Sequence, residues 1–245
     1  MKRKLAAFLS VLFWLTVWEA ASLLTGSILL LPGPVDTFHA LMRLCATAVF
    51  WQSVGMTLLR VLLGFALAVL LGTLMALLCT FLYPFEALFG PLRTVIRCTP
   101  VASFIVLLWL WLSKDAVPAF VSALMVVPVI WTGVQEGLKA ADPLLLEMSR
   151  AYRFPFLKKL RDLYFPSLRS HFSAACLTGL GFAWKSGISA EVIAVPLRAI
   201  GTGIHDAKVL LETDTLFAWT AAVILLSVLL EKGLHLITEK GKKHA

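Results

Sequence analysis

Residues 53 to 82 run for thirty positions with a single charged side chain, Arg60. A helix of that length extends about 45 Å, more than the ~30 Å of a bilayer's hydrocarbon, and an uninterrupted apolar run of this size has no place in a small water-soluble domain. The rest of the chain agrees: 60% of its residues are hydrophobic, only 15% are charged, and the mean hydropathy is +0.89. A soluble globular domain carries about half and about a quarter, respectively. The chain therefore reads as an all-α membrane protein, one domain over residues 1 to 245.

Six spans are predicted: Leu5 to Leu24, Ser53 to Leu82, Pro100 to Ser113, Ala116 to Gln135, Phe172 to Ile193 and Thr215 to Leu236. The basic start MKRK followed by an apolar run resembles a signal peptide, but the run outlasts an h-region and is read as a retained first span. The third span has the shortest apolar core and opens on Thr99-Pro100, so it is expected to borrow length from the segment before it. That segment, 83 to 100, holds Pro84, Pro91 and Pro100 and is expected to be a turn or elbow. Six spans return both termini to one side. Sixteen of the 22 basic residues then fall on that side and four on the other, with Arg60 and Lys185 inside spans. The excess marks the shared side as cytoplasmic.

A net charge of +8 in a soluble protein would invite a nucleic-acid reading, which the clustering of these charges beside apolar spans does not support. Cys45, Cys79, Cys98 and Cys176 are widely spaced and read as small buried hydrophobes. The five histidines show no metal-ligand spacing, and GLGFAWKS lacks the Gly-Lys-Ser of a phosphate loop. No catalytic residue and no metal site are assigned.

The largest polar island is residues 136 to 169, EGLKAADPLLLEMSRAYRFPFLKKLRDLYFPSLR. Its seven Lys and Arg are interleaved with apolar residues at spacings suited to short amphipathic helices. Apolar anchors flanked by cations suit a helix that docks in a groove on another protein; a basic loop attracted to anionic lipid is the other reading.

At this island the sequence resembles the permease subunits of type I ABC importers, whose signature is Glu-Ala-Ala, three residues, Gly, and a Pro thirteen positions later. Glu147, Met148 and Ser149 hold the first three places, Arg153 the glycine's, and Pro166 the proline's. LPGPVDTFHAL, SVGMTLLRVLLGFALAVLLG and PLRTVIRCTPVASFIVLLWLWL are, in order, similar to segments of the nitrate, sulfonate and taurine branch. The resemblance implies the type I fold of about six transmembrane helices in a bacterial inner membrane, with a coupling-helix region over residues 139 to 166. Leu144, Leu145, Glu147, Arg150, Tyr152, Arg153, Phe154, Phe156 and Pro166 would form it, Glu147 capping or pairing with Arg150 or Arg153. It also implies a second permease copy, a cytoplasmic ABC ATPase dimer that holds ATP and Mg in place of any cofactor here, and an extracytoplasmic substrate-binding protein. The solute would be small and polar or anionic, sulfonate-like or vitamin-precursor-like, and alternating access would move it inward.

Ionisable groups inside a span mark either a route or a buried pair. Lys185, with Trp184, Ser186, Ser189 and Glu191 around it, is the candidate route, where Gly187 and the serines would loosen packing; the competing reading pairs Lys185 with Glu191 or Glu19. Arg60 and Glu19 are read as packing residues, and the polar segment after Val195 as a docking loop or a plain connector. Two other functions fit less of the chain: a substrate-capturing membrane subunit on a separate transducer, and an intramembrane lipid-modifying enzyme, whose clustered carboxylates or histidines are not visible.

Overall fold

The structure is a computed structural model that describes the backbone from residue 2 to 243 and the side chains of residues 5–6, 9–155 and 157–234. It is helical: α1 Lys2–Thr25, α2 Pro34–Cys45, α3 Ala48–Phe81, α4 Tyr83–Cys98, α5 Val101–Trp111, α6 Val117–Lys139, α7 Pro143–Ala151, α8 Phe156–Lys159, α9 Phe165–Ala194, α10 Ile200–Val209 and α11 Thr213–Lys243. A π turn, Leu160–Tyr164, joins α8 to α9. Pro166 explains it: the proline ring would strike the carbonyl four residues back, and a wider turn removes the clash.

Three helices, α3, α6 and α9, form the centre, and small residues set how closely they pass. Gly187 lies where all three meet: a Cβ there would sit 2.6 Å from Ser122 Oγ and 2.7 Å from Val61 Cγ2. Gly72 makes the matching approach of α3 to α6, where a Cβ would lie 2.9 Å from Ile130 Cβ. Gly187 thus tightens the bundle, contrary to the loosening expected of it. Val61, Val126, Ile130, Val134, Ala183 and Trp184 fill the core around these crossings.

Among the described residues three helices are long and apolar enough to cross a membrane: Ala48–Phe81, Val117–Lys139 and Thr213–Leu234. The expected third span is different from its prediction. α5 has eleven residues, about 16 Å of helix, and cannot cross alone. The preceding segment is a 16-residue helix, α4, rather than a turn, and the two meet at 106°. Pro84 occupies the first turn of α4, where no backbone donor is needed, and Phe85 and Phe89 stack at 5.9 Å against the core. The break falls at Thr99-Pro100, as the proline requires. α1 and α9, 24 and 30 residues long, cover the expected first and fifth spans.

The connection from α6 to α9 defines one end of the bundle, here the island end. The loop 195–199 and α10 lie at the opposite, far end.

Candidate functional site

Four groups of side chains bear on function, beginning with the island. α7 starts on Asp142, whose Oδ1 accepts from Leu144 N at 2.9 Å, so the cap is Asp142 and not Glu147. Glu147 makes no ion pair with Arg150 or Arg153 among the described residues. The helix closes in a Schellman motif: Phe154 N donates to Ser149 O at 2.9 Å and Arg153 N to Arg150 O at 3.1 Å. Arg153 takes φ +50°, the left-handed conformation that glycine adopts without strain, at the position where the family signature has glycine. Around this turn Leu144, Leu145, Met148, Tyr152 and Leu157 are exposed, Tyr152 by 74%, although each is apolar enough to be buried. Lys158 Nζ sits 4.3 Å above the Phe154 ring. Pro166 starts α9. The Phe156 side chain lies outside the described residues.

The far end holds a buried ionic network. Glu191 is fully buried; its Oε2 accepts from Thr57 Oγ1 at 2.8 Å and from Gly201 N at 3.2 Å, and its Oε1 lies 3.5 Å from Arg60 Nη1. The Arg60 guanidinium also donates to Asp115 Oδ1, to Leu197 O at 2.9 Å and to Arg198 O at 3.3 Å. One arginine on α3 thereby fastens the α5–α6 loop, α9 and the loop 195–199, in which Val195 and Arg198 both have φ near +50°. The partner of Glu191 is therefore Arg60 and not Lys185. An open cavity of about 460 Å³, lined by Gln52, Gly55, Met56, Arg60, Asp115, Leu197 and Arg198, adjoins the network.

Lys185 is exposed and pairs with neither Glu191 nor Glu19 among the described residues. It shares one stripe of α9 with Ala174, Thr178, Phe182, Ser189 and Ile193, all exposed at helical spacing. Trp184, Ser186 and Glu191 do not share that stripe. Trp184 is buried and donates from Nε1 to Val223 O at 3.2 Å, and Ser186 donates to Phe182 O at 2.8 Å.

The fourth group went unnoticed in the sequence. Toward the island end, Glu86 Oε2 accepts from Gln135 Nε2 at 2.9 Å, Glu86 Oε1 lies 3.2 Å from Arg93 Nη2, and Arg93 Nη1 donates to Gln135 Oε1. The Arg93 guanidinium lies 5.0 Å from the centroid of the buried Trp131 ring. The signal was available: Glu86 and Arg93 are seven residues apart, two helical turns, but in a stretch rich in proline. This network borders a cavity of about 550 Å³ between α4 and α6, which continues into another of about 350 Å³ against α9. Cys98, expected to be buried, lines the first cavity and is exposed; Cys79 and Cys176 are buried as expected.

No family model matches the chain. Full-length comparison is more informative. The chain is 23% identical to the taurine transport system permease protein TauC of Escherichia coli over 92% of its own length and 84% of that protein's. It is 22% identical to the putative aliphatic sulfonates transport permease protein SsuC of Bacillus subtilis, over 92% and 82%. The chain is thus similar over most of its length to ABC transporter permeases. The formylaminopyrimidine transport permease protein ThiX of Halalkalibacterium halodurans matches this chain at 27% identity over 84% and 78%. A solved amino acid ABC transporter, crystallised with histidines, superposes with a TM-score of 0.64 at 16% identity, covering 80% of this chain and 94% of that one. It therefore supports the fold.

Proposed function

We propose that this chain is the membrane subunit of an ABC importer for a small anionic or zwitterionic solute, and that α7 and α8 are the handle on which a separate ATPase pulls. The observation that carries this reading is the exposed apolar cluster Leu144, Leu145, Met148, Tyr152 and Leu157, ringed by Arg150, Arg153 and Lys158, at one end of an ABC-permease bundle. Exposed apolar anchors with a cationic rim match an interface that is buried on a partner, with burial giving affinity and charge giving register. The island end then faces the cytoplasm, in keeping with the distribution of Lys and Arg, and ATP and Mg act on the partner. The far end, with its cavity beside Arg60 and Asp115, faces the substrate-binding protein.

Two copies would enclose the solute route between their α9 stripes. Lys185 supports an anionic solute: a cation exposed on α9, in no ion pair among the described residues, needs water or an anion beside it wherever that helix lies in the bilayer. The relatives named for taurine and sulfonates carry that chemistry in their names.

Copurification with the cognate ATPase tests the handle. Leu145→Ala with Glu147→Ala should abolish association while the permease still elutes as a single folded species; undiminished association would remove the handle from this region. Reconstituted with ATPase and binding protein, the complex should take up taurine or ethanesulfonate only with ATP.

A further inference from the structure

Between α4 and α6 the bend at Thr99-Pro100 leaves two helix faces opposed and open. α4 contributes Arg93, Thr94, Arg97 and Cys98, and α6 contributes Thr132, Gln135, Glu136 and Lys139, each set at spacings that keep it on one side of its helix. The cavity they line, about 550 Å³, is large enough for an organic ion of a few heavy atoms together with water. Three cations meet one another here. Arg93 is already committed, held by Glu86 and Gln135 and laid over Trp131. Arg97 and Lys139 form no ion pair among the described residues. Thr132 Oγ1, buried in the wall common to this cavity and the next, has no hydrogen-bond partner there. The single carboxylate on the lining, Glu136, also stands at that junction.

The second cavity runs on from Arg97, Thr132 and Glu136 along Ala174, Thr178 and Phe182, the stripe of α9 that leads to Lys185. A solute leaving the neighbourhood of Lys185 toward the island end therefore passes a hydroxyl, a carboxylate and then two cations that are in no ion pair among the described residues.

We infer that the α4–α6 cavity is a binding site for a small organic oxyanion, a sulfonate or carboxylate held by Arg97 and Lys139, with Glu136 placed to receive an ammonium group on the same molecule. The guanidinium supplies paired donors and the ammonium a point charge, and both keep part of their stem against apolar wall. Arg93 and its neighbours hold the wall rigid and do not themselves bind the ion. This inference rests on the permease reading for the origin of the ion: the solute halts here on its way out of the route. Lipid headgroups present similar oxyanions, so the ion's source is part of the test.

Cys98 is an internal reporter, since it is exposed on the cavity lining. The purified permease, in nanodiscs of phosphatidylcholine alone, is treated with N-ethylmaleimide, and modification of the peptide containing Cys98 is followed by mass spectrometry. Taurine or ethanesulfonate at roughly ten times its Kd should slow alkylation about tenfold, because only the unoccupied fraction reacts. Arg97→Ala and Lys139→Ala should each remove that protection, whereas Lys158→Ala on the island should retain it. Glu136→Gln should weaken protection by taurine and leave that by ethanesulfonate unchanged. Equal alkylation rates with and without either compound in the unsubstituted protein overturn the site. Protection by phosphatidylglycerol discs, with no further effect of the sulfonates, overturns the solute as its occupant in favour of a headgroup. ATP-driven uptake by the full complex is scored separately: uptake without protection of Cys98 removes this site and leaves the permease reading standing, and protection without uptake does the reverse.

Discussion

Arg153 carries an unusual load for one side chain. It closes α7 in the left-handed conformation, which costs a non-glycine residue about 1–2 kcal/mol. Arg153→Gly should therefore raise the thermal stability of the purified protein slightly, while Arg153→Val should lower it and weaken ATPase association, because a β-branched residue resists φ near +50°. If Val and Gly melted alike, the turn would not hold the strain assigned to it. Glu191 has the opposite character, since it is stabilised by position. Removing it as Glu191→Ala leaves the Arg60 guanidinium buried with Asp115 as its remaining carboxylate, a loss of roughly 3 kcal/mol. Glu191→Gln keeps acceptors for Thr57 and Gly201 and should fall between the two. Thermal unfolding followed by size-exclusion chromatography in detergent ranks the three proteins, and equal stability of Ala and Glu at 191 would show the network to be incidental.

At the level of helices, what the sequence disclosed depended on whether periodicity or partnership shaped the element. The long spans were legible because uninterrupted apolar runs leave the backbone few alternatives, and α3 and α6 lie close to where Ser53 to Leu82 and Ala116 to Gln135 placed them. α4 was not legible: three prolines over eighteen residues suggested a turn, whereas Pro84 falls in a first turn and the Glu86–Gln135–Arg93 bonds fasten the helix to α6 despite Pro91. Long-range pairs of that kind leave no local trace. Glu191 was singled out as an ionisable group near the outer end of a span, but its partner, Arg60, is 131 residues away, and sequence proximity favoured Lys185 instead. Gly187 was misjudged for a similar reason, as a glycine in a helix looks loose until its neighbours are known. Gly187→Leu should prevent α9 from seating on α3 and α6 and abolish the monodisperse folded species, while Gly55→Leu, with nothing within 4 Å of its Cβ, should be tolerated. Comparable expression and elution of both variants would mean that close helix approach at Gly187 is dispensable.

Taken as a whole molecule, the single chain leaves uncovered the α9 stripe from Ala174 to Ile193, with cavities at its island end. A two-fold axis beside that stripe would bring Lys185 near its own copy. Two ammonium groups close together in a dry interface repel strongly, so the stripe cannot form a tightly closed seam along its whole length. Water or an anion has to separate them, which is the property a transport route needs. The stripe's smaller members, Ala174 and Thr178, are free of this repulsion and can approach their counterparts more closely. In a background with Cys45, Cys79, Cys98 and Cys176 replaced by serine, Thr178→Cys should therefore cross-link to a dimer with a short bifunctional maleimide. Lys185→Met should retain assembly but raise the KM for taurine uptake several-fold and flatten its dependence on ionic strength, since screening acts only where a charge attracts the solute. A Lys185→Met complex that transports taurine with unchanged KM and unchanged salt dependence would place the route elsewhere on the molecule, whatever the cross-linking shows.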